Sequence, residues 1–177
     1  MNGGHTFPAP APDFSNPLGL IEACHGRMRE HCALLERAVA HVREQGLDDE
    51  ARQALRKVHR YFGTAAPLHH MDEEQDLFPR LVRTSLRLAE TIHRLRQDHE
   101  QLDRAWQELA PRLQRPPADE AAVAELQTLA ATFCDLYRRH LEVEEQDFLS
   151  LARHLLSSAE LQRIGRAMEE RRRPGST

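Results

Sequence analysis

Apolar residues recur every three and four positions through four long stretches of the chain. This spacing places them on one face of an α-helix, whereas a half-buried strand would alternate every second residue. The pattern predicts helix A over roughly 17–45, helix B over roughly 49–83, helix C over roughly 85–113 and helix D over roughly 118–156. We therefore expect an all-α protein.

The short connections between these stretches favour an antiparallel up-down-up-down four-helix bundle over 17–156. Residues 1–16 are rich in proline and small residues, and we expect a disordered N-terminal segment there. Residues 157–177 predict a short fifth helix, about 158–172, followed by a frayed basic tail.

The core-facing stripes also contain residues that are costly to bury. Six polar residues lie on them: His25, His69, Glu73, His99, His140 and Glu144. One buried histidine is common, but four histidines and two glutamates from four helices need a joint explanation. Either they satisfy one another as a polar network, or a cation replaces the water they lost. The second explanation is favoured.

A repeat within the chain supports a metal site. The segment 69–78, HHMDEEQDLF, is echoed 71 positions later by 140–149, HLEVEEQDFL. Each copy begins with a His and a Glu four residues apart, which share one helix face. His25 and His99, 74 positions apart, form a parallel echo. Two copies of a helix pair, each with two His and one Glu, are typical of a dinuclear metal site in a bundle.

The donor types narrow the choice of metal. Four imidazoles and two carboxylates without a thiolate suit iron or manganese, and zinc less well. If Glu73 and Glu144 bridge two octahedral ions, each ion has room for a shared oxo or hydroxo bridge and one open position. A small molecule such as dioxygen would bind at the open position.

Composition excludes several classes of function. The chain is 40% hydrophobic and 29% charged with a net charge of −4, and its basic residues are mixed with acidic ones. We therefore expect no nucleic-acid partner. The apolar runs are too short for a transmembrane helix, so no membrane partner is expected either. Three cysteines without a Cys-x-x-Cys pair, and an N-terminus without a signal-peptide pattern, predict a cytoplasmic protein.

With these residues in place, the chain resembles the hemerythrin-like family, also called the hemerythrin HHE cation-binding domain, over about 18–155. The most specific motif is His-His-x2-Glu-Glu-x2-Leu-Phe-Pro, present at 69–79. The resemblance implies a non-haem di-iron centre in which the two glutamates bridge. The implied ligands are His25, His69, Glu73, His99, His140 and Glu144.

The chain departs from the oxygen-carrying branch of that family. Those proteins have two histidines four apart on helix C, but Leu95 and Asp103 flank His99 at that spacing. They also place an aspartate five residues after the helix-D histidine, where this chain has Glu145. Without the second histidine on helix C, one metal ion is less crowded, or Asp103 or water completes its coordination. The ligand set looks more like the branch that repairs iron centres, whose cysteine-bearing N-terminal domain has no counterpart in the first sixteen residues.

Several neighbours of the six residues have open roles. His70 is expected near the site or at the surface, and Cys24 as a buried or half-buried thiol. Glu74 and Glu145 either hydrogen-bond to histidines of the site or face solvent. Tyr137 is the tyrosine better placed to face the centre.

The sequence thus predicts a di-iron protein that binds or senses dioxygen, nitric oxide or peroxide, or handles iron under oxidative or nitrosative stress. Signal output would depend on a protein partner. The alternatives are a di-iron oxidase, peroxidase or nitric-oxide-reducing enzyme, and an iron donor for the repair of iron centres.

Overall fold

The computed structural model describes residues 12–115, 117 and 119–173, and these residues form helices and turns without a strand. The prediction of an all-α fold is confirmed. Residues 1–11 of the predicted N-terminal segment and 174–177 of the predicted tail lie outside the described residues. The helices are α1 (Pro17–Gln45), α2 (Asp49–Asp72), α3 (Phe78–Leu81), α4 (Leu86–Gln114), α5 (Glu120–Val143), α6 (Ser150–Leu155) and α7 (Ser158–Arg171).

The helix starts are determined locally by side chains that accept a hydrogen bond from a backbone N–H of the first turn. These residues are Asn16, Asp48, Ser85, Asp119 and Ser157. Pro17 follows Asn16 at the first helical position, where its missing N–H costs nothing. Gly46 ends α1 with a φ of 88°, which a side chain would oppose.

The long helices surround one core, in which α1 and α4 each pack against both α2 and α5. The core has two apolar halves. One half contains Leu35, Phe62, Leu109 and Phe133, and the other contains Ile21, Phe78, Ile92 and Phe148. Full burial of each such side chain contributes about 1.5–3 kcal/mol. Along the chain, five of the six predicted site residues fall between a residue of one half and a residue of the other, and His140 lies at the edge of the first half beside Leu141.

Predicted helices B and D are each interrupted at the site glutamate, a feature the periodicity did not indicate. Two π-helical segments, Glu73–Leu77 and Glu144–Leu149, separate α2 from α3 and α5 from α6. In the first, Pro79 has no N–H to offer to the carbonyl of Gln75. In the second, the Ser150 hydroxyl, at the position matching Pro79, donates to the carbonyl of Gln146 at 2.5 Å. The carbonyl of Gln75 thus lacks the N–H of an α-helical hydrogen bond, and the carbonyl of Gln146 accepts from a hydroxyl. Both changes favour the wider π-helical turn.

The C-terminal helix α7 closes one end of the bundle. Ile164 and Met168 are buried in the second apolar half. A Cβ on Gly165 would lie 1.9 Å from the carbonyl oxygen of Phe14, so only glycine permits this close approach. Arg171 and Arg172 both pair with the buried carboxylate of Asp72. This attaches α7 beside the first π segment.

No helix among the described residues is both long enough and apolar enough to cross a lipid bilayer.

Candidate metal centre

A buried polar layer lies between the two apolar halves. The structure brings together all six residues that the sequence predicted, each at most 3% exposed, and adds His70 at 9%. The layer consists of His25, His69, His70, Glu73, His99, His140 and Glu144. The two glutamates are the first residues of the two π segments. π turns inside α-helices are frequent at functional sites.

The hydrogen bonding of this layer is incomplete. Eleven buried side-chain nitrogen and oxygen atoms among the described residues have no hydrogen-bond partner, and all eleven belong to these seven residues. They include both carboxylate oxygens of Glu73 and of Glu144. Native proteins leave few buried polar atoms unpaired, because each costs about 1–3 kcal/mol. The seven residues therefore do not satisfy one another as a polar network. Their nitrogen and oxygen atoms fit the binding of a cation instead.

One group of donor atoms consists of His25, His69, Glu73 and Glu144, whose candidate atoms lie within 4.8 Å of one another. Nε2 of His69 is 2.7 Å from Oε1 of Glu73, and Nε2 of His25 is 3.2 Å from Oε2 of Glu144. These close approaches lack the direction of hydrogen bonds, since the same atoms are unpartnered. Nitrogens and oxygens that face a common point in this way are arranged as metal ligands are.

A second group consists of His70, His99 and His140, again within 4.8 Å. The two groups share the glutamates. Oε1 of Glu73 faces His69, whereas its Oε2 is 3.2 Å from Nε2 of His99. Oε2 of Glu144 is 3.4 Å from Nε2 of His140, besides its approach to His25. Each glutamate thus contacts histidines of both groups.

An outer hydrogen bond orients His25. Nδ1 of His25 is 3.0 Å from Oε1 of Glu145, and the carboxylate can only accept, so Nδ1 carries the proton. Arg29 holds Glu145 with two bonds of 2.8 Å. The Nε2 of His25 is left to face the layer, which is how carboxylates outside a metal site fix a histidine tautomer.

His99 is oriented in the same way by Glu74, whose Oε1 is 2.7 Å from Nδ1. Of the two roles left open for Glu74 and Glu145, the structure shows the hydrogen bond to a histidine. Asp98, which the sequence pattern did not single out, lies near His140: its Oδ2 is 3.7 Å from Nδ1, beyond hydrogen-bond distance. An acidic residue directly before His99 was the available signal.

The electrostatics of the layer favour positive charge. Burial alone would lower the pKa of His25, but the carboxylates of Glu144 and Glu73 outweigh it and raise the pKa to about 9. Burial also acts to lower the pKa of His99, but the carboxylates of Glu73 and Glu74 outweigh it and raise this pKa to about 9. Burial acts to raise the pKa of Glu73, yet the surrounding histidines lower it well below its usual value. In the absence of metal, protons occupy the place of a cation.

His70 differs from its neighbours. Burial and the charge of His99 lower the pKa of His70 well below the ordinary value, so its ring is neutral. The residue occupies the buried layer, not the surface, because the ring packs against His99 at a centroid distance of 4.0 Å. Helical spacing alone did not indicate this, since His70 lies one residue off the predicted stripe.

Three other candidates occupy the surroundings. Asp103 is exposed and is not among the clustered donors. Tyr137 is buried, and its ring lies 6.2 Å from that of His70. Burial acts to raise the pKa of the half-buried Cys24 thiol, but contacts with His69 and Arg27 outweigh it and lower the pKa.

A cleft of about 230 Å³ leads from the surface to the layer. It is lined by Pro67, His70, Met71, Glu74, Gln75, His99 and Asp103. A void of about 20 Å³ adjoins it, with His70, Trp106 and Tyr137 among its walls. The void of about 20 Å³ has room for about one water-sized molecule.

Comparison with known proteins agrees with the geometry. A protein of Haemophilus influenzae described as uncharacterized is 30% identical over 159 residues, which cover 90% of this chain and 91% of that protein. A model of the hemerythrin HHE cation-binding domain matches residues 16–152, the whole span that carries the polar layer. The chain therefore belongs to the hemerythrin HHE cation-binding domain family.

Proposed function

We propose that this protein holds two iron ions in the buried layer and binds a small diatomic molecule or peroxide there. One observation carries the proposal: within the described part of the chain, eleven buried side-chain nitrogen and oxygen atoms have no hydrogen-bond partner, and all of them belong to seven adjoining residues. Two desolvated carboxylates among four imidazoles require positive charge, and bound metal supplies it. Nitrogen and carboxylate donors without a thiolate favour iron over zinc, with manganese as the nearer competitor.

His25 and His69 would hold one ion, and His99 and His140 the other. Glu73 and Glu144 would bridge, because each contacts histidines of both groups. Iron held in this way supplies reversible redox chemistry and positions for small ligands. The chain itself orients the rings through Glu145 and Glu74 and excludes bulk water.

The helix arrangement proposed for this centre is the antiparallel bundle over 17–156, with 157–177 as a C-terminal addition. The pairing of α1 with α5, the second π segment and α6 supports it. Glu22 pairs with Arg153, His25 with Glu145 and Glu36 with Arg138. The residue numbers of the partners decrease as those along α1 increase, which is the order expected of two antiparallel segments.

The biological role we propose is binding or sensing under oxidative or nitrosative stress, with output through a protein partner. The void of about 20 Å³ beside His70 supports a ligand of a few atoms. A cytoplasmic location is supported by the cysteines, which are all free thiols: Cys24, Cys32 and Cys134. Turnover of peroxide or nitric oxide, and iron donation to other proteins, are the competing uses of the same centre.

The test is metal analysis by mass spectrometry of protein purified without an affinity metal, followed by optical spectra of the reduced form before and after oxygen. We expect two irons per chain and a persistent, reversible adduct. Immediate oxidation without an adduct favours turnover or iron donation. Absence of stoichiometric metal contradicts the proposal.

A further inference from the structure

The residue that the ligand set leaves unused is His70. Its Nε2 is buried and has no hydrogen-bond partner in the part of the chain that the structure describes. It follows His69 directly, so its side chain leaves α2 about 100° further round the helix. The ring nevertheless ends in the polar layer, with its donor nitrogen within 4.8 Å of those of His99 and His140.

The packing of the ring argues against direct coordination. An imidazole binds a metal through a lone pair that lies in the plane of its ring. The rings of His70 and His99 are stacked, with centroids 4.0 Å apart and planes inclined by 15°. Lone pairs of two stacked, nearly parallel rings lie side by side and do not converge on one ion. The ring of His140, inclined by 63° to that of His99, does not share this restriction.

The orientation of His99 decides which of the stacked rings binds metal. Nδ1 of His99 is 2.7 Å from the Glu74 carboxylate, which directs its Nε2 to the shared glutamate Glu73. His70 has no comparable carboxylate contact among the described residues. A ring nitrogen of His70 lies within 4.8 Å of one of His99, so His70 would stand next to an ion that His99 held.

The cleft brings small molecules from the surface to this position. His70 lines both the cleft of about 230 Å³ and the adjoining void of about 20 Å³. A small molecule that enters from the surface meets His70 where it reaches His99. An imidazole can donate an N–H, and a buried ring nitrogen without a partner among the described residues gains most from a ligand that accepts a hydrogen bond.

We propose that His70 is a hydrogen-bonding residue that holds small acceptor ligands at the second metal and is not itself a metal ligand. This inference rests on the proposed function, because it requires the loaded centre. The ligand chemistry it predicts is a small anion or diatomic molecule whose outer atom accepts a hydrogen bond. Azide is the probe, since it binds ferric iron and its outer nitrogen is an acceptor.

The experiment compares wild type with H70L, which removes the N–H at similar volume, and H70Q, which retains a donor. His93, exposed on α4, provides the matched control H93L. Iron per chain and azide affinity of the oxidised protein are measured for all four. We expect two irons in each, azide binding weakened about tenfold in H70L, partly restored in H70Q, and unchanged in H93L.

A second readout uses wild-type protein and does not depend on the folding of H70L. The infrared stretch of bound azide is expected to shift between H2O and D2O, and the shift to be lost in H70L or reduced in H70Q. Loss of one iron in H70L would show that His70 is a ligand and overturn the inference. Unchanged azide affinity with two irons, or no isotope shift, would also overturn it. Wild type without stoichiometric iron would instead contradict the proposed function, and the inference with it.

Discussion

Glu73 and Glu144 are equivalent residues: each begins a π-helical segment, each is fully buried, and each contacts histidines of both donor groups. They lie 71 positions apart in the sequence and both contact His25 in the structure. The wider turn at each one changes the register of the residues that follow. The repeated motif therefore encodes a repeated local backbone as well as repeated donors.

Replacement of either shared glutamate is expected to disrupt both metal positions. In E73Q and E144Q the side chain keeps its size but loses the negative charge that offsets the metal. We expect loss of at least one of the two irons, measured as metal per chain by mass spectrometry. E142Q, at an exposed position of α5, serves as the control. Two irons with unchanged spectra in E144Q would show that it does not bridge.

The hydrogen bonds from Arg29 to Glu145, and from His25 to Glu145, are expected to tune metal affinity. Removal of such an outer carboxylate typically weakens a metal site about 10–100-fold. We expect E145Q to fall in that range and R29M to have a smaller effect of the same sign. Competition with a chelator measures the affinity. R37M, at an exposed position of the same helix, should be unaffected.

The stability of the metal-free protein is expected to fall as pH rises. His25 and His99 have pKa values raised from 6.5 to about 9, so the protonated form is favoured in the folded state. Their contribution is complete below pH 6.5 and is lost as pH rises through about 9. Urea denaturation at a series of pH values across this window measures the decrease.

The iron-loaded protein provides the contrast for that experiment. Metal binding requires neutral imidazoles, so loading releases protons and the decrease between pH 6.5 and about 9 should disappear. A metal-free protein whose stability is constant across this window would show that the glutamates do not hold protons on these rings.

The attachment of α7 is expected to depend on Asp72. Its carboxylate is 1% exposed and pairs with Arg171 and Arg172. Loss of both arginines would leave a buried charge unpaired, and we expect R171M/R172M to lower the free energy of unfolding by about 3 kcal/mol. R173M removes an exposed pair and should cost under about 1 kcal/mol. D72N in the double variant should recover part of the loss.

Much of the fold could be predicted from periodicity because the core of a helical bundle is a simple consequence of spacing. Leu35, Phe62 and Leu109 lie on the predicted stripes and are buried. The π segments could not be predicted in this way. They depend on the carbonyls of Gln75 and Gln146, which lack or share the N–H donor of an α-helical hydrogen bond. The spacing of apolar residues is averaged over several helical turns, so it does not reveal one extra residue in a single turn.

The sequence by itself indicated six of the polar residues that enter the core, but not His70 or Asp72. His25, His69, Glu73, His99, His140 and Glu144 follow the apolar stripes, and the internal repeat assigned them to one site. Only the tertiary structure decided which side chains surround these six residues and hold their rings in place. The contacts of Glu145 with His25, Glu74 with His99 and His70 with His99 join different helices. Such contacts depend on how helices pack and on the direction of each ring, and no spacing within a single helix specifies them.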